Sequence, residues 1–310
     1  MSVIRVHVLK SYGSLLGLIG ICLVLGILSD RFLTISNLTN VARQVSINAI
    51  LASGMTLVII TGGIDLSVGS LVALTGCSAL LAMGLPGADF SGIFAGLLVG
   101  AAAGALSGVL VAYGRVPPFI ATLAMLIMAR GTALAITSGQ PIVRSSGFYL
   151  FFGEGYLGPI PVPILIMILV LLACHFILSK TPMGSSIYAI GGNEEAARLS
   201  GIRIGRMKIV VYVISGVCSA IAGLVLAARL ASAQPNTGVG FELDAIAAVV
   251  LGGTSLMGGK GGIWGTLIGA FIIGVLNNGF NLLNVSPYYQ LIAKGAIIIF
   301  AVLVDQVMKR

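Results

Sequence analysis

Ten apolar runs divide this sequence, near residues 12–29, 45–62, 67–84, 91–113, 118–137, 162–179, 208–229, 243–257, 263–281 and 288–305. Most have the length a helix needs to cross a bilayer, about 17–25 residues. In hydrocarbon every backbone N–H and C=O must find its partner inside the chain, and a helix meets that demand within one segment. The expected fold is an all-α integral membrane protein of about ten transmembrane helices, a single domain over residues 1–310. Composition agrees. Of the residues, 58% are hydrophobic and 8% charged, with a mean hydropathy of +1.11, whereas soluble domains carry roughly 25% charged residues. The 43 glycines predict helices in close approach, because small residues let transmembrane backbones touch.

The net charge of +8 comes from basic residues that lie singly between spans, without the dense patch and interleaved aromatics of a nucleic-acid binder, so no nucleic acid is expected as a partner. Their placement instead sets orientation. With a cytoplasmic amino terminus, Arg5, Lys10, Arg115, Lys180, Arg198, Arg203, Arg206, Lys208, Lys260, Lys309 and Arg310 fall inside, while Arg31, Arg43, Arg144 and Arg229 fall outside. This satisfies the positive-inside bias and puts both termini in the cytoplasm. The first run follows Arg5 and Lys10 as a secretory signal would, but it ends in "SDRF" with no small-residue cleavage pattern and reads as a retained helix.

Catalytic chemistry is poorly represented. Cys22, Cys77, Cys174 and Cys218 sit inside apolar runs and read as small buried hydrophobes. His7 and His175 lack an acidic neighbour or a second His one turn away, so no metal site is expected. "GGTSLMGGKGG" at 252–262 fails as a phosphate loop: Thr254 stands six before Lys260 and Gly261 follows it, so this chain hydrolyses no nucleotide and Lys260 reads as an inner anchor in a tight turn.

The halves of the chain resemble each other. "GLLVGA" at 96–101 returns as "GTLIGA" at 265–270, and "VPPF" at 116–119 as "VSPY" at 285–288, both at a shift of 169. "DLSVGSLVALTGCS" at 65–78 aligns with "ELDAIAAVVLGGTS" at 242–255. Five spans per half would invert the second copy, giving pseudo-repeats at about 12–137 and 162–305, and inverted repeats characterise transporters whose pathway runs near the repeat interface. On this alignment Asp65 and Glu242 are counterparts at opposite faces.

Three groups of residues carry the functional expectation. In "TGGIDLSVGS", Gly62 and Gly63 end one helix, and either Asp65 or Ser67 caps the first turn of the next or the break is irregular backbone beside a pathway. In the cytoplasmic loop 180–208, Asn193 is an N-cap, Glu194 and Glu195 fill a first turn, Arg198 a last turn and Gly201 a C-terminal cap, which defines a short helix able to dock a cytoplasmic partner. Within the spans, Asn48, Thr56, Arg130, Asn277, Asn278, Asn281, Gln290 and Lys294 serve either as interhelical glue or as contacts for a neutral polyhydroxylated ligand; Lys294 and Arg130 pair with helix-end carbonyls, snorkel or find an acid. The aromatic stretch 148–163 reads as an interfacial belt or a docking face for an external protein.

"GMTLVIITGGIDLSVGSLVALTG", "YAIGGNEEAARLSGI", "ELDAIAAVVLGGTSLMGGKG", "GTLIGAFIIGVLNNGFNLL" and "YYQLIAKGAIIIFAVLVDQ" together resemble the ribose-type permeases of ATP-binding-cassette monosaccharide importers, the second carbohydrate-uptake family, over about residues 31–306. The resemblance implies a homodimeric permease of the bacterial inner membrane. It also implies a cytoplasmic ATPase subunit that carries ATP and Mg, no cofactor on this chain itself, and a periplasmic sugar-binding protein that delivers ribose or a related pentose or hexose. "EAARLSG" at 195–201 is similar to the pattern by which importer permeases contact their ATPase, which implies that role for Asn193, Glu194, Glu195, Ala196, Ala197, Arg198 and Gly201. Asn48, Thr56, Asp65, Asn277, Asn278 and Asn281 are the expected substrate path. A gradient-driven secondary sugar transporter is the alternative, although such carriers usually hold acids deep in their spans, and a membrane-embedded enzyme lacks its nucleophile here.

Overall fold

A computed structural model describes residues 2–84, 89–143 and 147–307; Arg144, Lys309 and Arg310 of the charge count lie outside the described residues. The helices are α1 (Ser2–Leu28), α2 (Ile35–Ile60), α3 (Val68–Ala82), α4 (Asp89–Ala112), α5 (Pro118–Thr137), α6 (Gly147–Glu154), α7 (Val162–Lys180), α8 (Pro182–Gly192), α9 (Glu194–Leu199), α10 (Ile204–Arg229), α11 (Phe241–Leu251), α12 (Ile263–Leu282) and α13 (Pro287–Val307). Among the described residues six of them, α2, α4, α5, α7, α10 and α12, are long and apolar enough to cross a membrane. The chain is an all-α membrane protein. Its strands are two-residue pairings: β1 (Ile142–Val143) with β4 (Ser232–Ala233), and β2 (Tyr156–Leu157) with β3 (Ile160–Pro161).

Helix α2 forms the axis of the fold. Every residue from Val45 to Ile60 is buried, the mark of a helix surrounded by protein on all sides. It packs against α7, α11 and α12 as well as α10, which in turn packs against α3 and α4. The glycine-driven closeness expected from composition is concentrated on α4, where Gly92, Gly96, Gly100, Gly104 and Gly108 recur every fourth residue on one buried face. A Cβ on Gly100 would strike the Gly216 carbonyl of α10, so this crossing is backbone against backbone. Cys77, Cys174 and Cys218 are buried and unbridged.

Several boundaries differ from the sequence expectation. Helix α2 begins ten residues before the apolar run at 45, because the Thr34 hydroxyl caps it by accepting the Asn37 N–H at 3.4 Å. The run 243–257 is not one span: α11 holds 11 residues, about 16 Å of rise against a hydrocarbon core of about 30 Å. Gly253, at φ +85°, follows it as the chain turns. The aromatic stretch folds into α6 and the β2–β3 hairpin, and part of it is core: Tyr149 is 1% exposed and donates its hydroxyl to the Leu224 carbonyl at 2.7 Å.

Two short helices meet inside the bundle. The segment between α10 and α11 lies along α3, where Gly238 (φ +79°) touches Gly69 and Glu242 rests against the same glycine. Arg130 of α5 fixes this segment by donating to the carbonyls of Pro235 and Thr237. Glu242 therefore packs four residues beyond Asp65 on the first turn of α3, and the two acids do not stand at opposite faces.

Candidate functional site

Helices α2, α10, α11, α12 and α13 line a cavity of about 390 Å³, within the range of about 300–1,000 Å³ usual for small-molecule sites. Each helix supplies a polar group: Gln44 and Asn48 from α2, Arg229 from the last turn of α10, Asp244 from α11, Asn277 and Asn281 from α12, and Gln290 and Lys294 from α13. Phe241 adds an aromatic face. Asn277 and Asn281 share one side of α12 because they are four residues apart.

Much of this wall is tied together. Lys294 donates to Asp244 Oδ2 at 3.0 Å, with side chains 27% and 6% exposed. Asn277 Nδ2 reaches the same oxygen at 3.5 Å, and Gln290 donates to Asn281 Oδ1 at 3.1 Å and to the Val285 carbonyl at 3.0 Å. Lys294 has thus found an acid. Chemically the wall offers amides that donate and accept, a carboxylate, two cations and a ring, a set suited to a hydroxylated ligand.

Three of the expected path residues, Asn48, Asn277 and Asn281, converge here; the other three are placed elsewhere. Thr56 is fully buried and exchanges a 2.7 Å hydrogen bond with Thr266 of α12, which locks α2 to α12. Asn278 pairs reciprocally with Asn37, at 3.0 and 2.8 Å. Asp65 is 1% exposed and saturated. Its Oδ1 accepts from the Ser67 N–H at 3.0 Å and the Ser67 hydroxyl at 2.6 Å, and its Oδ2 accepts from the Ser215 hydroxyl of α10 at 2.7 Å. It closes the turn that leads into α3, whose N-cap Ser67 makes no side-chain cap bond, and pins that break to α10.

The short helix of the 180–208 loop has the caps its sequence demands. Asn193 accepts the Ala196 N–H at 2.9 Å, and Glu194 and Glu195 occupy the first turn of α9. Gly201 adopts φ +86° while the N–H groups of Gly201 and Ile202 bond to the carbonyls of Arg198 and Ala197 at 3.0 and 3.1 Å, a Schellman termination. The Arg198 guanidinium, hydrogen-bonded to Glu195, holds that carboxyl below the usual carboxylate range. Lys208 binds both carboxylate oxygens of Glu194 at 2.8 Å, which fastens α9 to α10. Ala197 is buried, whereas Leu199 is 79% exposed.

Helix α8, which the sequence reading missed, links this lever to the core. A Cβ on Gly191 would collide with the Ile60 carbonyl, the Gly259 N–H donates to that carbonyl at 2.9 Å, and Tyr188 donates to the Gly261 carbonyl at 2.8 Å. The end of α2, the loop before α12 and the end of α8 thus form one knot beside the break that Asp65 holds.

The family model described as branched-chain amino acid transport system / permease component matches residues 37–302. The chain belongs to this permease family. It is 52% identical to the ribose import permease protein RbsC of Escherichia coli (strain K12) over 296 residues, 94% of this chain and 92% of that protein. The corresponding protein of Bacillus subtilis (strain 168) is 51% identical over 309 residues, 97% and 95% of the two chains. The D-allose transport system permease protein AlsC of E. coli (strain K12) is 41% identical over 303 residues, 96% and 92%. No solved structure matches. The chain is an importer's permease component, a transport subunit rather than an enzyme.

The cavity residues absent from the sequence expectation are Gln44, Arg229, Phe241 and Asp244. Asp244 carried a usable signal, an acid within an apolar run two residues after Glu242. Gln44 and Arg229 lie at the margins of runs, where polar residues are ordinary.

Proposed function

We propose that this chain is the membrane subunit of an ATP-driven, binding-protein-dependent importer of ribose or a related pentose or hexose, and that the cavity is the outward part of the sugar's path. The convergence of Asn48, Asn277 and Asn281, from two helices far apart in sequence, on one polar cavity carries the reading. A neutral sugar exchanges water hydrogen bonds for bonds to amides and paired charges of this kind, while Phe241 offers a face for its C–H groups. The amino end of α2 and the carboxyl ends of α10 and α12 meet at the cavity, and the charge count places those ends outside. The relatives' names supply the sugar, and they lend no support to a gradient-driven carrier.

In this reading α1, α2, α3, α4, α5, α7, α10, α12 and α13 cross the membrane and α11 enters it as a half-helix that the turn at 252–262 completes, ten segments with both termini cytoplasmic. The packing of α2 on α11 and α12, matched by that of α10 on α3 and α4, supports two inverted repeats with α2 and α10 exchanged about the axis. A second copy of the chain completes the permease. A separate cytoplasmic subunit binds ATP and Mg and grips α9, where the exposed Leu199 gives it a purchase. Displacement of α9 passes through the Glu194–Lys208 pair into α10 and through the glycine contacts of α8 into the end of α2, so the inner knot moves against the Asp65–Ser215 pin.

The test is uptake in proteoliposomes that hold the permease, its ATPase and the delivered sugar. Asn277→Ala with Asn281→Ala is expected to lower ATP-driven ribose uptake at least tenfold. Undiminished uptake would refute the path, and uptake by this chain alone on a proton or sodium gradient would refute the ATP-driven reading.

A further inference from the structure

As the outward part of a sugar path, the cavity would expose the cell to ion leak whenever the inner end opens. The wall charges bear on that hazard. The carboxylate of Asp244 is neutralised by Lys294 at 3.0 Å. Arg229 also lines the cavity, and it has no acidic partner in any ion pair among the described residues. A further cation, Arg43 of α2, lies close enough to act on it electrostatically. Among the described residues Arg43 has no acidic partner either: its guanidinium lies 4.7 Å from the Tyr156 ring centroid and its Nε is buried without a hydrogen bond.

Arg229 on the cavity wall and Arg43, the chain neighbour of the wall residue Gln44, are half-buried guanidinium groups that are hard to explain as glue, since like charges repel. We propose that Arg229 and Arg43 form an electrostatic filter that keeps protons, sodium and potassium out of the path while neutral sugars pass. Fixed positive charge on a pore wall raises the energy of every cation entering it, hydrated protons included, and leaves an uncharged polyol unaffected. The narrow, low-dielectric surroundings strengthen the field relative to open water. Removing both charges is expected to raise cation leak about tenfold, the combined factor for two unit charges each about 12 Å from the permeating ion at an effective dielectric of about 40. The filter rests on the reading of the cavity as the sugar's path.

The experiment uses proteoliposomes of the permease with its ATPase and binding protein, turning over ATP and ribose. A pH-sensitive dye inside reports proton entry driven by a potassium diffusion potential. Leak per inserted permease is expected to rise about tenfold in Arg229→Gln with Arg43→Gln and to stay at the wild-type level in Arg229→Lys with Arg43→Lys. Gln44→Glu, which places a negative charge on the same wall and leaves both arginines present, is expected to raise the leak as well. Wild-type leak in both the double Gln variant and Gln44→Glu would overturn the filter, and with ribose uptake still lost in the Asn277/Asn281 variant the path would stand. Undiminished uptake in that last variant would instead remove the path beneath it.

Discussion

The two ends of the Asp244–Lys294 pair should not be equally costly to remove. Asp244 is 6% exposed and Lys294 27%. In Lys294→Met the buried carboxylate keeps only the 3.5 Å contact from Asn277. An uncompensated buried charge of this kind costs about 3 kcal/mol. In Asp244→Asn the ammonium is left on a flexible four-carbon stem that faces the cavity and can rehydrate, and the cost falls to about 1 kcal/mol. The double variant removes both charges, so its cost should lie near 1 kcal/mol and far below the sum of the single changes. At about 2 °C per kcal/mol for a chain of this size, thermal unfolding of the purified permease should show Lys294→Met lowest, by about 6 °C, with the double variant recovering most of the loss. Equal single effects, or a double variant as damaged as the sum, would refute the asymmetry and the isolation of Asp244 on which it rests.

Asp65→Ala should leave the Ser67 N–H and the Ser215 hydroxyl unpaired and cost about 2–4 kcal/mol, read as a fall in unfolding temperature larger than that of Ser215→Ala. Gly191→Ala, whose methyl would meet the Ile60 carbonyl, should cut sugar-stimulated ATPase activity of the reconstituted importer at least tenfold while the ATPase subunit still co-purifies. Glu195→Lys should abolish that co-purification and leave membrane insertion intact, as checked by quantitative pull-down from detergent extracts; Asn193→Ala, which removes a cap worth about 1 kcal/mol, should weaken it severalfold.

What could be read from the sequence depended on how local its cause was. The caps of α9 lie within a nine-residue stretch, so Asn193, Glu194, Arg198 and Gly201 defined the helix before any fold was known. Asn48, Asn277 and Asn281 stood out as amides inside apolar runs. Thr56 and Asn278 stood out equally, because a polar residue in a span announces a partner without saying whether the partner is a neighbouring helix or a ligand. Asp65 reads from the sequence as a cap, whereas it holds the turn before α3 and its second carboxylate oxygen is claimed by Ser215, 150 positions away. Repeat alignment drew attention to Glu242, which the fold spends on the Gly240 N–H at 3.2 Å and the α3 contact, whereas the acid that reaches the cavity is Asp244. The pairing of Ile142–Val143 with Ser232–Ala233 was likewise fixed by neighbours distant in sequence.

The account turns on the cavity being the route by which ATP-driven uptake proceeds. In a background with Cys22, Cys77, Cys174 and Cys218 replaced by Ala, Asn277→Cys should react with a membrane-impermeant thiol reagent applied from outside, ribose should slow the reaction, and its completion should stop ATP-driven ribose uptake. A thiol at this position that stays unreactive from outside through repeated turnover, or one that is fully modified while uptake continues at its former rate, would contradict it.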